Sequence, residues 1–471
     1  MTTPAAAPSD DAGSGATRDG SGLPFEGSDA IASTEIPYSD MPIMGEALAH
    51  EDGAAPENTG RSLWRDGNFL TMWSGQALAQ LGSQIAELAI PTLAVILLNA
   101  SELEVGFLNA SAVAAFLLVG LPAGAWVDRM RKRHVMIVAD GVRALALAVL
   151  PLLWFLGSLE MWHMFVVAAI VGIANVFFDV SYQSLVPSLV PAHQIAEANG
   201  KLESTAQVAG IAGPAVGGWL VGVLTAPFAI LATVGTYVLG LIALLFTKDT
   251  EHLEPRLEKG SLASDIDEGL RWVFGNRYLK RIVATTAVSN FFSTLSFTLL
   301  PIFILRELGL SVANMGLIFS LAAVGGLLGA MSVKFVIAKL GEAPAIPISA
   351  IGFSLTALLL PVAAMVPSVA FALLIVQGFI ASFTVLVYNI TQVTFRQRIT
   401  PRHLLGRMNA SIRFVVWGVM PISALLAGFL GDQFGVVFTM WVGAVGQVVS
   451  ALFVIFGPFW STRELPATAD A

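Results

Sequence analysis

From Phe69 onward the chain is a succession of long apolar runs separated by short polar breaks. Stretches such as Met164–Phe178 (MFVVAAIVGIANVFF) and Phe371–Tyr388 (FALLIVQGFIASFTVLVY) carry no charge, and with their flanks they reach the roughly 20 residues a helix needs to cross a bilayer. The alternation of apolar and polar residues that marks the strands of a membrane barrel is missing, so the pattern predicts helices. Twelve spans follow from it: 69–98, 104–127, 134–157, 161–185, 199–224, 226–247, 281–305, 311–338, 344–366, 368–395, 404–431 and 434–461.

The polar breaks are unequal. Connections after even-numbered spans hold the bases: Arg129, Arg131, Lys132 and Arg133 after the second, seven Lys and Arg between Lys248 and Arg281 after the sixth, and Arg396, Arg398, Arg402 and Arg407 around the tenth. The opposite connections carry a single base, Arg306. Basic residues are retained on the cytoplasmic side of short loops, which predicts a multi-pass protein of the cell membrane, inner or plasma, with both termini in the cytoplasm.

The pattern also repeats. Leu189–Leu220 laid over Ile399–Leu430 matches Pro191 with Pro401, His193 with His403, Asn199 with Asn409, Gly218 with Gly428 and Leu220 with Leu430, all at one offset of 210. Six spans lie in each half, the arrangement of parallel repeats about an axis along the membrane normal. The expected organisation is a tail over 1–66, a six-helix bundle over 67–247, a linker over 248–280, a second bundle over 281–461 and a short tail over 462–471. In the linker, Ser264 with Asp267 makes a capping-box-like start, and Leu262, Ile266, Leu270 and Val273 share one face, which predicts a helix lying on the cytoplasmic surface.

Composition changes this picture in one place. Hydrophobic residues make up 55% of the 471 and charged ones 12%, as the spans require, yet the net charge is −8. Residues 1–60 hold eleven acids and one base, Arg18, so the remainder is close to neutral and the negative charge belongs to a tail predicted to be disordered. There is no cysteine, hence no disulfide framework and no thiolate metal site, and the six histidines are isolated. A phosphate-binding GxxxxGK[ST] loop is absent, so the chain itself does not use ATP. Four bases in one short loop against a membrane offer no extended face for nucleic acid.

The second span ends in Gly120–Arg133, GLPAGAWVDRMRKR. This resembles the loop signature between the second and third spans of the major facilitator superfamily: small residues, Asp-Arg, then a basic cluster. Ala209–Gly218 in the fifth span, AGIAGPAVGG, is similar to the superfamily's antiporter motif, with Ala209 in place of the usual leading Gly. Phe177–Pro191 is similar to the drug:proton antiporter branch that includes macrolide and siderophore exporters. The resemblance covers about 69–461. It implies an all-α membrane protein of twelve transmembrane helices in two pseudo-symmetric six-helix bundles, the major facilitator fold. In that reading Gly120 and Gly124 let the second span approach a neighbour closely. Asp128, flanked by Arg129 and Arg133, accepts hydrogen bonds at the start of the eleventh span, which carries Arg413, and closes a gate. The alternative is that Asp128 and the bases only mark the water boundary. Gly213, Pro214, Gly217 and Gly218 would bend the fifth span and seal a proton leak, or simply pack tightly.

Charges inside spans are costly unless they face a partner or water. Glu87, in the middle of the first span with Gln80 seven residues below, could exchange a proton or pair with a cationic drug, or make a structural hydrogen bond. Asp179, near the cytoplasmic end of the fourth span, is a second coupling candidate, or an interfacial hydrogen-bonder at the mouth. Asp140 and Arg143, three apart, can pair on one helix face. Glu203 and Arg413 occupy matching repeat positions with opposite charge. Gln80, Tyr237, Asn290, Gln377 and Asn389 could line a cavity, or each could simply hydrogen-bond to a neighbouring helix, the better reading for any one alone.

The expectation is a secondary active transporter, not an enzyme, that works by alternating access as a monomer in the lipid bilayer. It exports amphipathic small molecules in exchange for protons, with the proton gradient as energy source and no cofactor or metal. A nutrient importer and a non-transporting receptor or scaffold are the rival readings.

Overall fold

The structure, a computed structural model, describes residues 63–465 apart from 128, 192–193, 249–261, 402–403 and 462. The expected acidic tail up to residue 62 therefore lies outside the described residues. The packed chain starts four positions before the expected boundary: Leu63 is buried and Trp64 meets Trp73 edge to face.

Twelve helical spans are long and apolar enough to cross a membrane, as the periodicity predicts. The first half contains α1 (Gly67–Thr92), α2 (Glu102–Val127), α3 (Lys132–Phe155), α4 (Met161–Leu189), α5 (Ile195–Leu224) and α6 (Ala226–Phe246). A linker helix, α7 (Leu262–Gly275), leads to the second half: α8 (Leu279–Ile302), α9 (Val312–Leu340), α10 (Glu342–Ala357), α11 (Leu359–Met365), α12 (Ala370–Ile399), α13 (Leu405–Gly418), α14 (Met420–Phe434) and α15 (Val436–Ile455). Two spans are broken in the middle. The break between α10 and α11 precedes Pro361, and that between α13 and α14 precedes Pro421, because proline withholds an amide from the helical ladder.

The repeat seen in sequence recurs in backbone detail. Pro91 and Pro301, 210 apart, sit where α1 and α8 loosen into five-residue π-helical turns, Leu93–Leu97 and Phe303–Glu307. Both turns lead to a left-handed residue, Asn99 at φ 49° and Gly309 at φ 63°. Ser101 and Ser311 then start the next helices. Ser101 accepts from the Glu104 amide at 3.3 Å while the Glu104 carboxylate accepts from the Ser101 amide at 2.8 Å, and Ser311 accepts from the Asn314 amide at 3.1 Å.

Within each half the helices pack as a bundle, with α1 between α5 and α6, and α12 between α9 and α10. Across the halves, α2 meets α14 and α5 meets α9. These crossings lie at the end of the bundle whose loops are poor in bases: Gly106 and Gly316 stand in the first turns of α2 and α9, Gly218 and Gly428 near the ends of α5 and α14. Toward the base-rich end no helix crossing between the halves is as extensive as these two among the described residues. The approach of α13 to α2 comes at mid-helix, where Gly418 lies against Leu117.

The linker segment expected to form a helix contains one, α7. It packs on its own half: Gly269 rests on the Arg407 carbonyl of α13, Glu268 pairs with Arg407, Trp272 Nε1 donates to Thr400 Oγ1 at 3.3 Å, and Val273 is fully buried. An apolar stripe gains more from a protein groove than from the headgroup layer when such a groove lies within reach. The linker's first residue is held by the other half, where the Lys248 amide donates to Asn68 Oδ1 at 2.6 Å. At the C-terminus Leu465 is still buried, so the second half extends past the expected end at 461.

Candidate transport site

The middle of α1 is clamped on two sides by glycine contacts. Gly75 and Gly82 of α1 lie against α6, where a Cβ on Gly75 would be 2.6 Å from that of Ala243, and the Thr233 hydroxyl donates to the Gly82 carbonyl at 3.1 Å. On the other side Gly217 of α5 has room only because it lacks a side chain: its Cβ would lie 3.3 Å from Ile85 Cα. Gly213 stands in the same way against Gln84. This fixes the rotation of α1, whose polar residues Gln76, Gln80, Ser83 and Glu87 recur at helical spacing: Gln76 is buried, Gln80 and Ser83 are half-buried, and only Glu87 of the four is exposed. Glu87 is exposed and has no hydrogen-bond or ionic partner among the described residues. Lipid is a poor environment for such a group, and water in the gap between the halves is the alternative.

A second constellation lies deeper in the first half. Arg143 of α3 bonds Asp140 one turn away at 3.1 Å, the local pair the spacing predicts, and reaches Asp179 of α4 at 3.9 Å. Its guanidinium lies 4.1 Å from the Phe178 ring and 5.5 Å from that of Tyr237. Asp140 and Arg143 are almost fully buried, whereas the Asp179 side chain is 57% exposed. One cation thus serves two carboxylates, one enclosed and one exposed. The sequence reading paired Asp140 with Arg143 and treated Asp179 separately; only the packing of α3 on α4 brings the three together.

The other expected residues divide. Gln80, Asn290 and Gln377 are half-buried and remain at the surface of their bundles. Tyr237 and Asn389 do not line open space. Tyr237 is 3% exposed beneath Arg143 with its hydroxyl within hydrogen-bonding reach of Ser83, and Asn389 is 7% exposed on α12. Glu203 is satisfied on its own helix by Gln207, whose amide donates at 2.7 Å, and Arg413 lies 5.4 Å from the Trp417 ring one turn along.

At the expected gate, Gly120 and Gly124 belong to the final turns of α2, and Asp128 falls outside the described residues, as does His403. Arg129 is exposed. Arg133 stays within the first half, donating to the Leu244 and Leu245 carbonyls at 2.9 and 2.7 Å and so capping the end of α6. The antiporter-like segment has a legible geometry. Gly213 and Gly217 face α1, and Gly218 faces the other half, where its Cβ would lie 2.9 Å from the Val312 carbonyl and 3.2 Å from Gly316 Cα. The Pro214 carbonyl abuts Gly316 as well. The same contact is written a second time, because a Cβ on Gly106 would lie 2.8 Å from Gly428 Cα. Gly106 and Gly316 are 210 apart, as are Gly218 and Gly428, so each glycine of one half meets the repeat mate of its own counterpart.

The sequence profile described as Major Facilitator Superfamily matches residues 72–424. The chain belongs to the major facilitator superfamily. Membership makes it a membrane transporter rather than an enzyme. Among curated superfamily members, the multidrug efflux pump Tap of Mycolicibacterium fortuitum is 23% identical over 413 residues, covering 85% of this chain and 97% of the pump. Macrolide efflux protein A of Streptococcus pyogenes is 24% identical over 414 residues, covering 84% and 97%. Among solved superfamily-like folds, a bacterial homologue of the iron transporter ferroportin in its inward-facing state superposes with a TM-score of 0.69 at 16% identity, over 84% of this chain and 99% of the other.

Proposed function

We propose that this superfamily member exports amphipathic small molecules across the cell membrane in exchange for protons, by alternating access between the two halves. The observation that carries the coupling is Glu87: a mid-span carboxylate that is exposed and has no hydrogen-bond or ionic partner among the described residues. The efflux activity named for the curated relatives supports the direction, at an identity too low to supply the substrate. With the bases retained in the cytoplasm, the end at which the halves touch is the outer one, and the cleft between them opens inward. Protonation at Glu87 from the outside and release within would return the carrier, while Asp179, held loosely by Arg143, is the second acid within reach of the same water.

The test is proton-driven uptake of a small library of cationic and neutral drugs into inverted vesicles. Glu87→Gln keeps the shape of a protonated acid but cannot cycle, so uptake against a gradient falls to the level of empty vesicles while downhill exchange persists. Uptake equal to the wild type moves the coupling to Asp179. Accumulation in right-side-out vesicles instead would make the protein an importer.

A further inference from the structure

Arg306 is the base that breaks the charge asymmetry of the loops, and it sits in the π-helical turn closing α8. Its side chain crosses to the other half. Nη1 donates to the Ala100 carbonyl and Nη2 to the Val95 carbonyl, both at 2.7 Å. Val95 belongs to the π-helical turn closing α1, where helical carbonyls lose their partners and the helix presents its negative end. A two-pronged guanidinium suits two such carbonyls better than an ammonium does. The repeat mate of Arg306 is Ile96, which is 49% exposed, so this crossing exists once and not twice. A pocket of about 520 Å³, lined by Val95, Ile96 and Asn99 from one half and Arg306, Leu310 and Ser311 from the other, adjoins the crossing.

We propose that Arg306 is a strut between the halves, a positioning residue that favours the state closed at the base-poor end and thereby sets how often the carrier opens there. The proposal rests on the alternating access argued above. Both acceptors are backbone groups of the opposite half, so the two bonds exist only while that end is shut. When it opens, the carbonyls and the guanidinium turn to water, and the difference biases the equilibrium toward closure. Strength at this site is independent of the glycine contacts, which act through shape.

The cysteine-free chain allows a direct reading in the full-length protein. Met315 is fully buried and precedes Gly316 in the chain, so Met315→Cys is shielded while this end is closed, and on the proposal it reacts with an impermeant thiol reagent from the base-poor face when the halves part there. Adding Arg306→Gln raises the labelling rate roughly tenfold, the population change that follows from losing about one net charge-assisted bond. Arg306→Lys, with one point donor, falls between. Gly428→Leu serves as a control that forces the same end apart by bulk. Ala363→Cys, buried inside the second half, reports general loosening and stays unreactive in every background. If Arg306→Gln labels at the wild-type rate while Gly428→Leu labels fast, the strut is refuted and alternating access stands. Labelling of Ala363→Cys together with Met315→Cys would show that Arg306 only holds the fold together, which also overturns the proposal. If neither Arg306→Gln nor Gly428→Leu speeds labelling, that end does not open, and both the strut and the alternating cycle fall.

Discussion

Replacing Gly106 with Ala adds one methyl where there is no room for it. The new Cβ would lie 2.8 Å from the Ala424 carbonyl oxygen and 2.8 Å from Gly428 Cα, against about 3.5–4.0 Å for an ordinary carbon contact. Both obstacles are backbone, so no side-chain rotation relieves them, and α2 must move off α14 by roughly 1 Å. Overpacking of this kind costs about 1–3 kcal/mol. The cost falls only on the arrangement in which these helices touch, so it enters the opening equilibrium undiluted, a shift of about 5–150-fold toward the open end. Labelling at Met315→Cys measures it. Gly316→Ala crowds the repeat-related crossing, 3.1 Å from Gly218 Cα, and shares no contact residue with the first, so in the double variant the two factors multiply. Gly222→Ala is the control, since its Cβ meets nothing within 4 Å. Labelling unchanged in the double variant would refute the reasoning, because a gate that tolerates two such methyls is not closed by these glycines.

Arg143→Gln leaves Asp140 enclosed without its cation and costs about 3–5 kcal/mol of stability, read as a drop in the melting temperature of the purified protein; adding Asp140→Asn recovers part of it, and an unchanged midpoint for the single variant would contradict the pairing. Cysteines placed at Ser101 and Ser158 react with an impermeant reagent from outside the cell and one at Ser261 does not, whereas the reverse pattern would invert the topology. Asp128→Asn, which keeps the side chain's shape and the basic cluster, lowers uphill transport and raises the reactivity of a cysteine in the base-rich cleft; no change in either would leave Asp128 as a marker of the water boundary only.

The spans, their order and the two-fold repeat were legible because each rests on short-range patterning that lipid enforces: an uncharged run long enough to cross, a base at the proper end, a proline at a matched place. Asp140 with Arg143 was legible for the same reason, since three residues on a helix fix a shared face. Asp179 was visible as a charge but its partner was not, because that contact depends on how α3 rotates against α4. Polarity leaves Tyr237 and Asn389 open between lining a cavity and bonding between helices; both are buried, and Tyr237 lies within hydrogen-bonding reach of Ser83, which only the packing could show. Arg306 stood out as an exception to the loop charges, yet nothing local says that it reaches 2.7 Å from carbonyls some 200 positions earlier in the chain. The glycine crossings were half legible: the match of Gly218 with Gly428 was in the alignment, and the corresponding pair, Gly106 and Gly316, needed only the same offset applied to the start of the second span.

The reciprocal glycine crossing has the form of an interface between two identical subunits. Position 106 of one half meets the counterpart of 218 in the other, and the reverse holds with the roles exchanged. That is the rule of a two-fold contact, in which residue i touches j and j touches i. A six-helix chain carrying one such pair of glycines would dimerise through both at once, so the closure between the halves requires no invention beyond joining two copies end to end. The strut does not follow the repeat, since arginine stands at 306 and isoleucine at 96. Two halves in one chain can differ position by position, and here a charged link stands on one side of a contact that a dimer of identical chains would have to build twice.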